Sequence, residues 1–285
     1  MVRIGVIGGS GLYELEGLID IREQVVQTPF GPPSDALVVG RLGDVELVFL
    51  PRHGRGHRLT PTEVPYRANL WALKELGCTW VISVSAVGSL REEIAPGHVV
   101  LVDQFIDRTR QRQSTFFGDG VVAHISFGDP VCGALHRTLA ATTADLGLLH
   151  HPTGTYVCME GPAFSTRAES NLYRSWGASV IGMTNLPEAK LAREAEMSYA
   201  TLAMATDYDC WHPDHDQVSV EAVIGVLTAN VDRAKRIIAA AAPRIAALGP
   251  SPHENALRNA IMTQSNRIDA ATRARLDLLI ARHLG

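Results

Sequence analysis

No run of eighteen apolar residues occurs in the sequence, so neither a membrane-spanning helix nor a membrane partner is expected. A basic excess is missing as well. Lys and Arg number 26 against 30 Asp and Glu, a formal charge of -4, which offers no field for a phosphate backbone and excludes nucleic acid as a partner. Cysteine is sparse: Cys78, Cys132, Cys158 and Cys210 lie far apart without a CxxC pair, as expected for reduced, mostly buried thiols of a cytoplasmic protein. The apolar run that opens the chain is too short for a signal peptide and meets glycine at once. There is no internal repeat. Histidine pairs at metal-ligand spacing are also missing, and His212 and His215 fall in a loop rich in Pro and Asp, so no metal is expected.

What is present is the composition of a soluble enzyme with a large core: 285 residues, 46% hydrophobic and 20% charged. Residues 2–7 form a continuous apolar run, the pattern of a strand buried on both faces. Two β-rich runs within 36–50 meet near Gly43 and Asp44 as a hairpin. A helix is expected from about Thr62 and Glu63, with Pro65 in its first turn and Gly77 as its stop. Further strands are expected over 80–84, 98–102, 155–159, 180–183 and 199–205. Thr166 and Glu169 have capping-box spacing and open a helix that Gly177 closes. Another helix covers 187–195, and a long helical pattern over 219–248 is interrupted at Pro243. Strands interleaved with helices predict an α/β fold, a single-domain sandwich with a central mixed β-sheet flanked by helices. Residues 1–248 form that domain. Beyond the hinge Gly249-Pro250-Ser251-Pro252, residues 249–285 are expected to be a helical tail packing on the same domain or on a neighbouring subunit.

Several islands carry chemistry. Gly8-Gly9-Ser10-Gly11 follows the first strand, where glycines let backbone N–H groups approach an anion and Ser10 adds a hydroxyl donor. A tight turn gives the same pattern, and the motif has neither GxGxxG spacing nor the Lys of a P-loop. Arg52-His53-Gly54-Arg55 ends a strand where a sheet edge faces a crevice. The guanidinium is a bidentate fork suited to phosphate and the imidazole adds a donor, although a solvated basic turn reads alike. Ser85-Ala86-Val87-Gly88-Ser89 reads alone as a turn, with a hydroxyl and backbone N–H groups that suit an anion. Thr184 offers a hydroxyl beside a helix N-terminus, and Met183 a soft apolar surface for a sugar ring or for the core. Asp207 and Asp209, at i and i+2 beyond an apolar strand, share one side of the chain if it stays extended; a capping or solvated-loop role is the ordinary alternative.

Taken in order, Gly-Gly-Ser-Gly-Leu (8–12), Thr-Pro-Phe-Gly-Pro-Pro-Ser (28–34), Arg-His-Gly-Arg (52–55), Tyr-Arg-Ala-Asn-Leu-Trp-Ala-Leu (66–73), Gly-Ser-Leu-Arg-Glu-Glu-Ile (88–94), Asp-Gln-Phe-Ile-Asp-Arg-Thr (103–109), Glu-Gly-Pro (160–162), Phe-Ser-Thr-Arg-Ala-Glu (164–169) and Ala-Met-Ala-Thr-Asp-Tyr-Asp-Cys-Trp (203–211) resemble the 5'-methylthioadenosine phosphorylases of the trimeric purine nucleoside phosphorylase family. The resemblance covers residues 1 to about 248. It implies that Ser10, Arg52, His53, Ser85, Ala86 and Thr184 hold inorganic phosphate, a co-substrate, with no cofactor and no metal. It implies that Met183 and Phe164 contact the nucleoside and that Asp207 and Asp209 are the catalytic pair reading the purine. Ser165 and Val220 fall where the family tunes specificity, Val223 and Ile224 extend an apolar wall for the methylthio group, and His124 lies near the 5' end of the sugar across a subunit interface. A cytoplasmic homotrimer serving purine and methionine salvage is implied too. Ser10 and Ser85 stand where threonine is commoner in the family, which keeps the hydroxyl, and Asn185 is less usual there.

The implied reaction is reversible phosphorolysis, in which phosphate attacks C1' of the ribose as the bond to N9 breaks. Asp207, its pKa raised by burial and by Asp209, would protonate N7, while Asp209 accepts from the 6-amino group. A 6-oxo group would face a carboxylate lone pair, so adenine is favoured over hypoxanthine. A phosphorylase preferring adenosine or a 6-oxopurine nucleoside is the near alternative. A dehydrogenase would need an acidic residue about twenty positions beyond its glycines, and Asp20 and Glu23 fall too close. A non-catalytic nucleoside binder would release no adenine in response to phosphate.

Overall fold

The computed structural model describes residues 1–213 and 220–284, apart from the side chains of Ser10 and residues 220–224. Eleven strands form one mixed sheet. At its centre β1 (Val2–Gly8) lies parallel to β4 (Val45–Pro51) on one edge and to β5 (Trp80–Ser89) on the other. A strand with neighbours on both edges and helices on both faces has no polar side, and Ile4, Val6 and Ile7 are almost wholly buried. β3 (Leu37–Leu42) turns into β4 through Gly43 at φ 58, and β2 (Ile19–Gln24) covers the outer edge. The sequence left β2 unmarked because five of its six residues are exposed, so apolar alternation is missing.

The path of β5 creates the crevice. On one edge it pairs with β1 at residues 80–83 and then, antiparallel, with β10 (Val180–Gly182) at 88–89. Among the described residues, 84–87 have no strand partner on that edge. The opposite edge is covered by β11 (Ser198–Asp207), parallel, which carries β6 (Val99–Val102) and β8 (His150–His151) beyond it. β10 continues the other limb through β9 (Thr155–Cys158) to β7 (Gln104–Asp107). A sheet that parts in this way leaves an opening at its strand ends, the usual location of ligands in α/β folds. Residues 85–89, read above as a turn, are therefore strand, and Val84, Ala86 and Gly88 alternate as its more open face.

The helices cover both sides. α1 (Tyr66–Glu75) starts later than expected because Thr60 and Glu63 close their own turn, the Glu63 carboxylate accepting from the Thr60 amide and hydroxyl at 2.9 and 2.7 Å. α2 (Gly133–Asp145) was not anticipated. α3 (Arg167–Ser175) has the reciprocal capping box of Thr166 and Glu169. α4 (Asn185–Glu194) becomes regular only from Pro187, since Leu186 is non-helical. α5 (Val220–Ala246) runs through Pro243 without the expected interruption. The missing amide falls in its last turns, where Ile237, Ile238, Ala241, Ala242 and Ile245 are fully buried and hold the helix on the sheet. In the tail, α6 (Ala270–Ile280) inserts Leu276, Leu279 and Ile280 into the main core. Buried Glu196, at a left-handed φ of 57, receives the Leu257 amide at 3.0 Å and the side chains of Arg282 and His283, tying the tail to its own chain.

Candidate active site

The ends of β5, β10 and β11 carry six of the predicted residues: Ser85, Ala86, Met183, Thr184, Asp207 and Asp209. Thr184, after β10, approaches Ser85 hydroxyl to hydroxyl at 3.4 Å, and the Tyr156 hydroxyl lies 3.2 Å from the same Ser85 oxygen. Ala86 is exposed on the open edge. The Arg52 amide donates to the Gly8 carbonyl at 2.9 Å, which draws the end of β4 against the glycine turn where Ser10 begins a short 3-10 helix. The Ser10 side chain lies outside the described atoms. Met183 packs against Gly161, which is at φ 67; a Cβ there would stand 2.5 Å from the Met183 sulfur. Only glycine lets the Glu160–Pro162 turn come that close.

Two side chains of the anion end have partners that the sequence does not specify. The Arg52 guanidinium does not present its fork to the crevice. Its Nε and Nη2 grip Glu188 at 2.8 and 3.1 Å, Nη2 also reaches Ser83 at 2.7 Å, and Nη1 donates to the Val84 carbonyl at 3.0 Å. The cause is burial. With side chains 4% and 1% exposed, neither charge survives without the other. Hydroxyls of Ser83 and Tyr199 complete the shell around Glu188 at 2.7 and 2.8 Å, and Asn185 donates to both hydroxyls at 3.0 and 2.9 Å. One Nη1 hydrogen remains for a ligand. His53 is held as well. Its Nδ1 faces the Leu59 carbonyl at 2.8 Å, and a carbonyl can only accept, so Nδ1 carries the hydrogen. Burial, with the Arg52 charge beside it, pushes the imidazole down to about 4. At neutral pH His53 therefore offers a lone pair at Nε2 instead of a second donor.

The carboxylates sit at the other end. Asp207 closes β11, and the Gly88 backbone lies against it: a Cβ on Gly88 would meet Asp207 Oδ1 at 3.1 Å and the Asp209 Cβ at 3.3 Å. Burial pushes the Asp207 carboxyl up to about 6, opposed by a hydrogen bond with Thr206 and aided by the charge of Asp209. Burial also raises Asp209, whose Oδ2 is enclosed without a partner at hydrogen-bond distance; Ser170 beside it pulls the other way, but its Oγ is outside bonding geometry. The segment is fixed from both sides. The Ser89 carbonyl accepts from the Asp209 amide at 3.1 Å and from the Trp211 indole at 2.8 Å, while Arg174 stacks over that indole at 3.6 Å.

The family profile of the phosphorylase superfamily matches residues 3–243. The chain belongs to the phosphorylase superfamily. It is 63% identical over 282 residues to the S-methyl-5'-thioadenosine phosphorylase of Geobacter sulfurreducens and 59% identical over 286 residues to that of Thermosynechococcus vestitus, with 99% of each chain covered in both cases. Among solved structures, a methylthioadenosine phosphorylase from an antarctic soil metagenomic library superposes with a TM-score of 0.93 at 50% identity, covering 98% of both chains. The Schistosoma mansoni methylthioadenosine phosphorylase in complex with adenine gives 0.81 at 35% identity, covering 99% of this chain and 98% of its own.

Other predicted residues of this family member are spread more widely. Phe164 is 51% exposed, and the Ser165 hydroxyl faces the Met159 sulfur at 3.5 Å. His124 is exposed on a short ribbon, its amide bonded to the Ala260 carbonyl at 2.9 Å. Val220 and Val223 lie in α5, but their side chains, with that of Ile224, are outside the described ones. Among the described residues no helix is long and apolar enough to cross a membrane, and no metal-ligating cluster occurs. A cavity of about 710 Å³ lined by Asp103, His136, Arg193 and His253 contains none of the predicted residues. Sequence reasoning missed Glu188, whose only local signal is an acid in a first helical turn, and Arg112. The Arg112 side chain, 1% exposed, donates to the carbonyls of Met183, Leu186 and Glu160 and to the Glu160 carboxylate, binding the turns that carry Met183 and Thr184 to the one that precedes Phe164.

Proposed function

We propose that the protein catalyses the reversible phosphorolysis of 5'-methylthioadenosine to adenine and 5-methylthioribose 1-phosphate. The observation that carries this reading is that β5 holds Ser85, in hydroxyl contact with Thr184, three residues from Gly88, against which Asp207 and Asp209 pack; burial raises the Asp207 carboxyl. At the oxyanion end Ser10, Ser85, Thr184 and the Ala86 backbone supply donors, and one Arg52 hydrogen joins them. His53 Nε2 accepts, so phosphate enters carrying a proton directed at that nitrogen. A phosphate oxygen bonds to C1' as the C1'–N9 bond breaks, and the electron pair goes to the purine, which Asp207 protonates at N7. The phosphate keeps its proton, hydrogen-bonded to His53 Nε2, and leaves as the monoanionic sugar phosphate. The phosphate gives up one negative charge as Asp207 gains one, so the total charge within the site is unchanged. Asp209 accepts from the 6-amino group, Met183 and Phe164 flank the sugar, and Ser165 and Val220 set selectivity, with Val223 beside the methylthio group.

Positioning and fixed dipoles supply most of the rate. We also propose a homotrimer in which His124 of one copy approaches the next copy's site, a role suited to its exposure on a ribbon. A reducing cytoplasm and a place in purine and methionine salvage suit the four free cysteines and this substrate. No cofactor takes part. The deciding assay measures adenine release from 5'-methylthioadenosine with and without phosphate, beside adenosine and inosine. Release that ignores phosphate, or faster turnover of inosine, overturns the reading.

A further inference from the structure

Thr206 occupies the single irregular step of β11. Ala205 is opposite Val87 and Asp207 is opposite Gly88, so Thr206 is the extra residue of a bulge. Bulges re-aim side chains, and here the Thr206 hydroxyl turns onto the strand it has slipped past. It lies 3.2 Å from the Val87 carbonyl oxygen and 2.6 Å from Asp207 Oδ2, in a residue only 5% exposed. A hydroxyl has one hydrogen to give and lone pairs with which to accept. The Val87 carbonyl and an ionised Asp207 both only accept, so they compete for the single Thr206 hydrogen. A protonated Asp207 instead leaves that hydrogen to the carbonyl and donates its own across the shorter contact.

We propose that Thr206 is the positioning residue for the proton of Asp207, accepting the hydrogen while Asp207 is protonated and donating to the carboxylate once it is ionised. This rests on the assignment of Asp207 as the acid for N7. With the purine in place, the Oδ2–H turns from Thr206 to N7. The Thr206 hydroxyl rotates about Cβ–Oγ, releases Val87 and donates to Oδ2. The hydrogen moves from Asp207 to the purine, which takes the electron pair of the C1'–N9 bond, and Thr206 keeps its own hydrogen throughout. Each protonation state of Asp207 thus has a partner, and no heavy atom has to shift. The titratable group facing Asp207 from its own segment is Asp209; β5 contributes only Gly88 there, and on the α3 side Glu169 stands next to Asp209.

The test compares Thr206→Val and Thr206→Ser with the parent enzyme by two readings. In pH-difference infrared spectra of the free enzyme, the protonated-carboxyl stretch that Asp207→Asn abolishes is expected unchanged in Thr206→Ser. In Thr206→Val it moves to higher wavenumber, because the acid has lost its acceptor. In kcat–pH profiles with saturating 5'-methylthioadenosine, Thr206→Val is expected to lower kcat about tenfold and to raise the alkaline midpoint by about half a pH unit, with the phosphate KM unchanged. Thr206→Ser stays within about twofold. Thr206→Ala gives the same readings should the valine variant melt early. A band and a midpoint in Thr206→Val that coincide with the parent's overturn the proposal. Failure of the parent enzyme to release adenine would instead remove the assigned reaction, while the infrared reading still decides where the proton rests.

Discussion

Arg52→Ala probes the pairing beneath the anion end. The substitution strands Glu188, 1% exposed, with the hydroxyls of Ser83 and Tyr199 as its remaining donors. Breaking a buried ion pair from one side costs about 3–5 kcal/mol, and the two surviving donors place this case near about 3 kcal/mol. That is a large part of the roughly 5–15 kcal/mol by which a folded chain is stable. At about 2–4 °C per kcal/mol for a chain of this size, the melting midpoint should fall by about 6–12 °C. Circular dichroism melts at pH 7 on Arg52→Ala, Glu188→Gln and the double variant give the number. The double variant should recover about 1–2 kcal/mol relative to the sum of the singles, since no unpaired charge is left inside. A midpoint for Arg52→Ala within about 2 °C of the parent, or strict additivity in the double, would falsify the reasoning.

Asp207→Asn should lower kcat on 5'-methylthioadenosine by about a hundredfold or more, as loss of a general acid does. Because the folded carboxyl has a pKa of about 6 against 3.8, its stabilising contribution is complete below pH 4 and lost as pH rises through 6. The non-titrating Asn variant should therefore be more stable than the parent at pH 8 by about 2 kcal/mol, and equal to it at pH 4, in urea melts at the two pH values. Burial lifts Glu194 to about 7 from 4.5 against its bonds from Phe116 and Thr115, with the same sign: Glu194→Gln should flatten the stability change between pH 5 and 8 by about 2 kcal/mol, and an unchanged slope refutes it. Glu196→Ala removes the receptor for Leu257, Arg282 and His283, so limited proteolysis should cut within 249–285 at least about tenfold faster, as expected when about 1.4 kcal/mol or more is lost locally; equal cutting counts against the tie.

Legibility in the sequence followed burial pattern. The central strands and α3 were readable because doubly covered strands are continuous apolar runs, and because a capping box is a local device within four residues. β2 and the end of β5 were not, since an exposed edge strand and a strand beside a crevice both lack apolar alternation. At the site, residue types were legible but not their partners. Arg52 suggested an anion, yet its grip on Glu188 spans 136 positions of chain, and no spacing rule reaches that far. The tautomer of His53 was illegible for a similar reason, because the Leu59 carbonyl that fixes it is placed by the fold of the 53–59 loop.

The hydrogen on phosphate ought to be a selectivity element. With Arg52 neutralised by Glu188 and His53 neutral, the anion end has almost no net charge, so affinity comes from directed donors and one acceptor. Sulfate matches phosphate in shape but carries no proton at neutral pH, and its oxygen lone pairs would oppose the Nε2 lone pair. The mismatch leaves a half-buried acceptor unsatisfied, worth about 1–3 kcal/mol, or roughly a five- to hundredfold weaker affinity. Arsenate, which carries the proton, should support adenine release in place of phosphate. Sulfate should compete with phosphate only at concentrations about ten times the phosphate KM or above, and His53→Leu should narrow that ratio by removing the acceptor. Equal competition by sulfate in the unaltered enzyme would mean that Nε2 carries a hydrogen when the anion binds, and the tautomer argument built on Leu59 would have to be abandoned.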